Sequence, residues 1–277
     1  MGRHGFRVRG NIVLKEYRSK NSYAREKKAL KSLQPHPFIT ELLQSCETKI
    51  FGKFLGILEF KYYKGCDLHT WIDAHPHGSE TRFIRYAMKK VLLAYDYARK
   101  ISIFHRDIKP ENIMIDEHGI VKLIDWELCS FTKYSHKKVG TQEYMAEEVL
   151  REEPYECEKS DIWSLGVLFF SLATGQRPYG SFSSNYTYSV LGRNSDEWIK
   201  AIYNYRWTRF WKSHELKFTL EIPCQLKNCV EKMLQKDPDR RLNIEGTMFH
   251  SFFIGDECRP EEVVEEMLVS VVNNPLT

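Results

Sequence analysis

Long apolar runs are missing from this chain of 277 residues. A helix that crosses a bilayer needs roughly 18 or more consecutive apolar residues, and no segment approaches that length. The N-terminus is polar and basic, so the pattern of a secretory signal peptide is lacking as well. The sequence therefore predicts a protein that is not associated with a membrane.

Cysteine pairs at disulfide or metal-binding spacing are also lacking. The seven cysteines are an odd number, and none stands at metal-ligand spacing from another. This pattern argues against a disulfide framework and indicates free thiols in a reducing compartment, the cytosol or the nucleus. A content of 42% hydrophobic and 28% charged residues is ordinary for a globular protein with a real core.

The most informative stretch that is present reads His-Arg-Asp-Ile-Lys-Pro-Glu-Asn, residues 105–112. It combines a general base, a phosphate-binding cation and a metal ligand, which together indicate phosphoryl transfer. The stretch resembles the catalytic loop of the eukaryotic protein kinase family, in its serine/threonine form. The resemblance implies that Asp107 accepts the substrate hydroxyl proton, Lys109 steadies the transferring phosphate and Asn112 holds magnesium. An exposed charged loop is the alternative interpretation.

Further motifs follow in the order of that family: Asp125-Trp126-Glu127 in place of Asp-Phe-Gly, Gly140 to Glu148, Ser160 to Val167, and Asp237 to Arg241. By resemblance, Asp125 ligates the magnesium ion that bridges the nucleotide phosphates. The resemblance also implies that Asp161 holds the backbone of the catalytic loop and that Arg241 pairs with Glu148. Together these motifs are far more specific than any one of them.

The front of the chain resembles the family less closely. Ile12-Val13-Leu14-Lys15 is similar to the Val-Ala-Ile-Lys strand, and Arg25-Glu26 is similar to the start of the helix that supports it. The resemblance implies that Lys15 contacts the α and β phosphates and that Glu26 fixes its ammonium group. Solvated surface side chains are the alternative for both residues.

The glycine loop that covers the nucleotide phosphates in the family has no match. Within residues 1–10 the glycines stand at other spacings, and we predict a strand over 6–9, a tight turn at Gly10-Asn11 and a partner strand over 12–17. The nucleotide lid is therefore expected to be shortened or missing. Weak ATP affinity, or help from a partner chain, would follow.

The Asp-Trp-Glu segment departs from the family at two positions. Trp126 replaces phenylalanine, and we expect it to be a buried aromatic between two lobes. Glu127 replaces glycine and removes the backbone freedom that lets this segment flip, so one locked state is expected. The Glu127 carboxylate either adds to the magnesium site or, as is commoner for glutamate, faces solvent.

A strand over 54–60 is predicted to lead into a hinge between the lobes. Leu58-Glu59-Phe60 resembles the Leu-Glu-Tyr of the family, where adenine contacts the backbone amide and carbonyl. Leu58 is the candidate that closes the back of the pocket, with Phe60 as its competitor. Met114 completes the residues assigned to the nucleotide by resemblance, and plain core packing is the alternative for the apolar ones.

The resemblance predicts an α+β, bilobal protein-kinase fold in a single domain, residues 1–277. A small β-rich lobe (1–60), a hinge (61–66), a large helical lobe (67–254) and a helical tail (255–277) are expected. The tail begins at Pro260 and places one apolar face toward the large lobe or a partner, namely Val263, Val264, Met267, Leu268, Val271 and Val272. The loop from Gly180 to Asn194 is expected to be a passive surface insertion, with a docking surface as the alternative.

Charge is concentrated near the N-terminus, where residues 1–31 carry ten Lys or Arg and two acidic residues, a local net charge of +8. A solvated face that attracts phosphate is favoured over direct nucleic-acid binding. Asp67, Glu111 and Glu143 occupy positions that hold basic residues of the substrate in arginine-directed kinases. They predict basic protein substrates, and the helix that carries Glu26 offers a surface for a homodimer.

The sequence contains features for and against regulation by phosphorylation. Arg106 precedes the catalytic aspartate, and in the family this arginine often binds a phosphate of the activation segment. Hydroxyl acceptors are present in that segment at Ser130, Thr132, Tyr134 and Ser135. Lys137 and Lys138, however, stand where the phosphorylated residue is usually found, so activity without phosphorylation is expected.

The sequence as a whole predicts a serine/threonine protein kinase that uses ATP and Mg²⁺ to phosphorylate proteins. Its compact front end resembles kinases of large DNA viruses, such as those of baculoviruses, which would place it in an infected host cell. A pseudokinase that works by binding partners is the main alternative, favoured by Glu127 and the missing glycine loop. A small-molecule phosphotransferase is a third possibility, which the Gly140 to Glu148 segment weakens.

Overall fold

The computed structural model of the protein describes residues 6–176 and 221–273, together with isolated positions between 196 and 212. Side chains are described up to Met267. The loop predicted from Gly180 to Asn194 lies outside the described residues. Within the described part, the chain forms a β-sheet region followed by a mainly helical region, which confirms the predicted α+β architecture with a small and a large lobe.

The small lobe is built on one antiparallel sheet with the order β1-β2-β4-β3. Its strands are β1 (Phe6–Arg9), β2 (Ile12–Tyr17), β3 (Leu42–Ile50) and β4 (Lys53–Lys61), and helix α1 (Lys20–Leu33) follows β2. Helix α1 begins after Ser19, whose hydroxyl accepts a hydrogen bond from Ser22 N at 3.2 Å. It packs against β4 and β3 through a buried face, which includes Glu26.

The predicted front hairpin and hinge strand are confirmed. Strand β1 pairs with β2 around a tight turn, in which Gly10 has the positive φ of 58° that glycine adopts without strain. Strand β4 runs through the centre of the sheet and has β2 and β3 on its two sides. Because Leu58 and Lys15 are directly opposite each other, their side chains share one face of the sheet.

The large lobe combines helices with short strands. Its elements are β5 (Gly65–Asp67), α2 (Leu68–Ala74), α3 (Thr81–Lys100), β6 (Ile113–Asp116), β7 (Val121–Leu123), β8 (Tyr134–Ser135), α4 (Glu147–Leu150), β9 (Tyr155–Glu156), α5 (Cys157–Thr174), α6 (Cys224–Met233), α7 (Ile244–Met248) and α8 (Pro260–Asn273). Strands β5, β6 and β7 form a small antiparallel sheet, and β8 pairs with β9.

Helix α5 is the central helix of the large lobe. Every residue from Ser160 to Thr174 is buried, so the helix is surrounded by protein and is apolar on most of its circumference. It ends at Gly175, whose φ of 67° gives the left-handed conformation that terminates many helices. This rigid helix carries Asp161 beneath the catalytic loop.

A buried ion pair joins helix α4 to the segment that precedes helix α7. Arg241 Nη1 lies 2.8 Å and Nη2 3.3 Å from the two carboxylate oxygens of Glu148, a bidentate geometry. The side chain of Arg241 is fully buried, with its guanidinium 5.0 Å from the ring centre of Trp163. The predicted pair is therefore confirmed.

The tail helix α8 begins at Pro260, as predicted, and packs on the large lobe. Val263 and Met267 are buried, while Glu262 and Glu266 face partners at the edge of the contact. The Glu262 carboxylate lies 3.1 Å from Arg82. Val264 is half-buried, and the remaining residues of the predicted apolar face, Leu268, Val271 and Val272, lie beyond the described side chains.

Two of the predicted absences can be compared with the structure. All seven cysteines are free thiols, as expected. Among the helices in the described ranges, none has the length and apolar character needed to span a bilayer.

Candidate active site

The catalytic loop is held from below by a single buried carboxylate. Asp161 Oδ2 accepts a hydrogen bond from His105 N at 2.9 Å, and Oδ1 accepts one from Arg106 N at 2.8 Å. Arg106 has a φ of 65°, and these two bonds help to hold this uncommon backbone conformation. Burial raises the pKa of Asp161 to about 7, against the lowering effect of the two backbone N–H donors. The predicted role of Asp161 is confirmed.

The three predicted catalytic residues are brought together above this support. Asn112 Nδ2 donates to Asp107 O at 2.7 Å and to Asp107 Oδ2 at 3.2 Å, and Lys109 Nζ lies 3.1 Å from Oδ2. Thr141 Oγ1 donates to Asp107 Oδ1 at 2.8 Å and accepts from Lys109 Nζ at the same distance. The carboxylate is therefore oriented by donors on both oxygens.

Thr141 is a site residue whose role the sequence does not predict, although it lies within the Gly140 to Glu148 motif. Its position depends on Gly140, which has a φ of 112° and passes close to the catalytic loop. A Cβ atom at Gly140 would lie 2.5 Å from Arg106 O, a distance that no side chain tolerates. The available signal was Gly140 itself, because glycine is the default residue where the backbone must approach another segment closely.

The second group of predicted residues meets around Lys15. Its Nζ atom lies 2.9 Å from Glu26 Oε2 and 2.7 Å from Asp125 Oδ1. The Lys15 side chain is only 3% exposed, so these charged contacts are made away from solvent. Strand β2, helix α1 and the segment after β7 each supply one of the three groups.

Glu127 joins the same group, and the expectation of a solvent-facing side chain is wrong. Its carboxylate lies 3.4 Å from Lys15 Nζ, and its side chain is 15% exposed. A buried ammonium attracts any carboxylate within reach, which outweighs the usual preference of glutamate for water. In addition, Arg25 Nη1 donates to the Glu127 carbonyl at 3.0 Å, so helix α1 holds the backbone here as well.

Glu26 connects all three segments. Its Oε2 accepts from Lys15 and from the hydroxyl of Tyr17, and its Oε1 accepts from Trp126 N at 3.1 Å. Trp126 is fully buried, with its ring centre 4.7 Å from that of His105, which confirms the expected buried aromatic. Tyr17 and Arg25 also belong to the site, and the sequence does not predict them because it does not show what faces them.

The charges in this group shift one another's pKa values. Burial would lower the pKa of Lys15, but the carboxylates of Glu26 and Asp125 outweigh it and raise the pKa. Burial would raise the pKa of Asp125, yet the neighbouring ammonium leaves it below its usual range. For Glu26 burial dominates, so its pKa stays above its usual range despite Lys15. At neutral pH, Asp125 is a carboxylate beside a charged lysine.

Three carboxylates that a magnesium ion could use lie close to one another. Ile124 N donates to Asn112 O at 2.9 Å, which places Asp125, the next residue, beside the catalytic loop. Asp125, Glu26 and Glu127 each offer a carboxylate oxygen, and these oxygens lie within 4.8 Å of one another. Carboxylate and amide oxygens are the ligands that a hard cation prefers, so the residues present fit Mg²⁺.

The residues assigned to adenine come from one strand of each lobe, β4 and β6. Leu58 and Phe60 are buried on the face of the sheet that also carries Lys15 of β2, and Glu59 is half-buried on the opposite face. Met114 is half-buried on β6, opposite Asp67 of β5. The backbone N–H groups at the end of β4 are already used, since Lys61 N donates to Glu41 O and Tyr62 N to Asn11 O.

Comparison with known proteins agrees with this geometry. A family model described as the protein kinase domain matches residues 11–253. The chain belongs to the protein kinase domain family. The human SNF-related serine/threonine-protein kinase is 29% identical over 252 residues, covering 90% of this chain and 30% of the relative. The CBL-interacting serine/threonine-protein kinase 5 of Arabidopsis thaliana is 30% identical over 227 residues, covering 79% and 45%.

A third kinase is more similar over a shorter stretch. Ribosomal protein S6 kinase alpha-6 of Danio rerio is 35% identical over 160 residues, which are 56% of this chain and 21% of the relative. The chain thus spans less than half the length of each of these kinases. The family confirms the bilobal kinase fold, while the resemblance to viral kinases stays a prediction.

Proposed function

We propose that the protein is a serine/threonine protein kinase, which transfers the γ-phosphate of ATP to serine or threonine hydroxyls of protein substrates. The observation that carries the proposal is the environment of Asp107, whose carboxylate is oriented by Asn112, Lys109 and Thr141. The names of the similar kinases support the same chemistry. A kinase needs positioning and charge compensation rather than covalent catalysis, and this site offers both.

At the catalytic loop, we assign Asp107 the role of accepting the proton of the attacking hydroxyl. Lys109 lies beside it and compensates the charge on the transferred phosphoryl oxygens. Thr141 bonds to both side chains and keeps them aligned until the substrate hydroxyl arrives. Asn112 holds the opposite carboxylate oxygen with its amide nitrogen and leaves its amide oxygen for a metal ion.

At the other end of the cleft, Lys15 would contact the α and β phosphates, with Glu26 fixing the ammonium. Asp125 and Asn112 would hold Mg²⁺, which neutralises phosphate charge when it is bound. The contact between Lys15 and Asp125 supports this placement. Lys15 Nζ, proposed to bind phosphate, lies 2.7 Å from Asp125 Oδ1, proposed to bind the metal.

The adenine ring would rest between the lobes, against Leu58 and Phe60 from above and Met114 from below. Glu59 belongs to the same segment, but the backbone of β4 is engaged in the sheet. The backbone that bonds adenine therefore lies after Tyr62, within the proposed hinge. Strand β4 ends at Lys61 and β5 begins at Gly65, which supports a hinge at 61–66 between a small lobe of 1–60 and a large lobe that begins at 67. The boundary between the large lobe, 67–254, and the tail, 255–277, is likewise proposed.

Basic protein substrates are proposed from the acidic groups around the catalytic loop. Glu111 precedes Asn112, and one of its carboxylate oxygens is buried without a hydrogen-bond partner among the described residues. Glu143 follows two residues after Thr141 and is half-buried. Asp67 contributes less, because its carboxylate caps helix α2 by accepting from Thr70 N at 2.7 Å.

The proposal is tested by radiolabelled phosphate transfer from ATP with Mg²⁺ to a basic peptide and to a matched acidic one. Removing the general base in Asp107→Ala should lower the rate by about a hundredfold or more. Asp73→Ala, at an exposed position on α2, is the matched control and should retain the parent rate.

Each alternative function has its own outcome in that assay. Equal rates for the parent and Asp107→Ala would show that a contaminating kinase does the work. A parent that binds nucleotide but transfers no phosphate to any peptide would favour a pseudokinase. Transfer to a small alcohol but not to peptides would favour a small-molecule phosphotransferase, and equal rates with both peptides would remove the basic preference.

A further inference from the structure

Tyr17 places a buried hydroxyl at the centre of the Lys15 group. It lies two residues after Lys15 on β2, so both side chains point to the same face of the sheet. Tyr17 is fully buried, and its hydroxyl donates to Glu26 Oε2. The same carboxylate oxygen accepts from Lys15 Nζ at 2.9 Å. The tyrosine is therefore a second donor to the oxygen that holds the lysine.

The ring of Tyr17 adds two further contacts. Lys15 Nζ lies 5.2 Å from its centre, within the range of a cation–π interaction. On the helix side, Tyr23 of α1 meets it edge to face with ring centres 5.8 Å apart. Tyr17 thus touches both members of the Lys15–Glu26 pair and the helix that carries Glu26.

Such a donor is needed because Lys15 is shared. Asp125 at 2.7 Å and Glu127 at 3.4 Å contact the same ammonium as Glu26 does. A buried carboxylate must have hydrogen-bond donors to stay in place, and a lysine drawn toward two other carboxylates does not hold Glu26 alone. The Tyr17 hydroxyl and Trp126 N supply the other donors, one to each oxygen.

We propose that Tyr17 is a positioning residue for nucleotide binding, whose hydroxyl fixes the Glu26 carboxylate so that Lys15 is aimed at the phosphates. This inference rests on the proposed kinase function. It assigns the hydroxyl a task that is specific to this chain, in which Glu127 adds a third carboxylate around the lysine.

The test compares Tyr17→Phe, which removes only the hydroxyl, with Tyr23→Phe as the matched control. Tyr23 is a buried tyrosine of α1 whose hydroxyl contacts Lys27 at 3.2 Å. Tyr17→Phe should raise the KM for Mg·ATP by about tenfold, as expected for the loss of a hydrogen bond to a charged group, and leave the KM for the peptide unchanged. Tyr23→Phe should change neither constant. An unchanged KM for Mg·ATP in Tyr17→Phe would overturn the proposal.

A double-mutant cycle separates positioning from general packing. If Tyr17 acts through Glu26, then adding Tyr17→Phe to Glu26→Gln should change the KM for Mg·ATP by less than about twofold. Equal effects of Tyr17→Phe in both backgrounds would show that the hydroxyl acts elsewhere and would reject the proposal.

Amide hydrogen exchange distinguishes failure of this inference from failure of the kinase function. Tyr17→Phe should speed exchange in helix α1 and at Trp126, whereas Tyr23→Phe should leave Trp126 unchanged. If the parent transfers no phosphate, the proposed function fails and this exchange comparison alone decides whether Tyr17 holds Glu26. Identical exchange at Trp126 in the parent and Tyr17→Phe would reject the role of the hydroxyl.

Discussion

The two ends of the candidate site differ in their balance of charge. At the catalytic loop, one carboxylate, Asp107, lies beside one ammonium, Lys109. Around Lys15, one ammonium faces the carboxylates of Glu26, Asp125 and Glu127, a formal excess of two negative charges. The negative charge of Asp107 is thus compensated by another residue of the catalytic loop. The nucleotide end has excess negative charge, which can attract a cation that arrives with the substrate.

The two ends also differ in how they are held. The catalytic loop is fixed through its backbone, because Asp161 accepts from the N–H groups of His105 and Arg106. The nucleotide end depends mainly on side chains, because Glu26 accepts from the side chains of Lys15 and Tyr17 as well as from the backbone N–H of Trp126. Backbone support tolerates changes of side chain, whereas a cluster of side chains depends on each member. Substitutions should therefore act differently at the two ends.

The largest effect is expected from the support of the catalytic loop, as a dependence of stability on pH. Burial raises the pKa of Asp161 from its ordinary value of 3.8 to about 7, so the folded state binds this proton more tightly than the unfolded chain. The free energy of unfolding should then fall as the pH rises from about 4 to about 7, by at most about 1.4 kcal/mol per pH unit. Urea unfolding at several pH values measures this slope.

Asp161→Asn is the control for that slope, because asparagine has the same shape and no proton to titrate. The variant should be less stable, since one of the two backbone donors loses its acceptor, but its slope over the same interval should be flatter. Equal slopes in the parent and the variant would mean that Asp161 is ionised in the folded state. The group that supports the backbone of the catalytic loop would then be a charged carboxylate, as are the groups around Lys15.

A smaller effect is expected at the nucleotide end, where Glu127→Gln removes one of the excess charges and keeps the side-chain shape. The negative charge of Glu127 repels the phosphates and competes with them for the Lys15 ammonium. Its removal should therefore tighten Mg·ATP binding by up to about tenfold. Isothermal titration at a fixed Mg²⁺ concentration measures the dissociation constant. Glu153→Gln, at an exposed position, should leave that constant unchanged.

The opposite result would be equally informative. If Glu127→Gln weakens Mg·ATP binding, the carboxylate assists the cation more than it repels the phosphates. Glu127→Gly then separates charge from backbone freedom, because it restores the flexible residue of the family while removing the same charge. A glycine variant that behaves like the glutamine variant would show that charge alone matters here.

The sequence predicts the catalytic loop better than it predicts the nucleotide end, for a physical reason. Asp107, Lys109 and Asn112 are close in sequence, so a short motif fixes their relation. Lys15 and Asp125 are 110 residues apart, and only the family resemblance joined them. The buried orientation of the Glu127 side chain is the less favoured of the two sequence-based alternatives, because it depends on a lysine from the other lobe.

The fold shows the same limit. The front hairpin, the strand before the hinge and the tail helix follow from local pattern, since alternation, turn residues and an apolar face are properties of neighbouring residues. The partners of Tyr17 and Arg25 follow from how helix α1 packs on the sheet and on the segment after Asp125. Side-chain partners of that kind become visible only once the elements are assembled.

The smallest effect is expected where the activation segment meets the catalytic loop. Arg106 donates to the carbonyls of Leu128 at 2.8 Å and Cys129 at 3.3 Å, and to the Ser135 hydroxyl at 3.1 Å. Because the two carbonyl contacts remain, Ser135→Ala should lower kcat by less than about twofold. Phosphatase treatment of the parent should also change kcat by less than about twofold. Mass spectrometry checks that phosphate has been removed, and peptide phosphorylation measures kcat in parallel.

The surrounding contacts support the prediction that no phosphate is needed to order this segment. Strand β8, which ends at Ser135, pairs with β9, and Lys138 Nζ lies 3.7 Å from the carboxylate of Glu152. A loss of activity in both Ser135→Ala and the phosphatase-treated parent would instead identify a phosphorylated Ser135 as the group that holds Arg106. The catalytic end would then depend on an added charge, and the contrast with the nucleotide end would disappear.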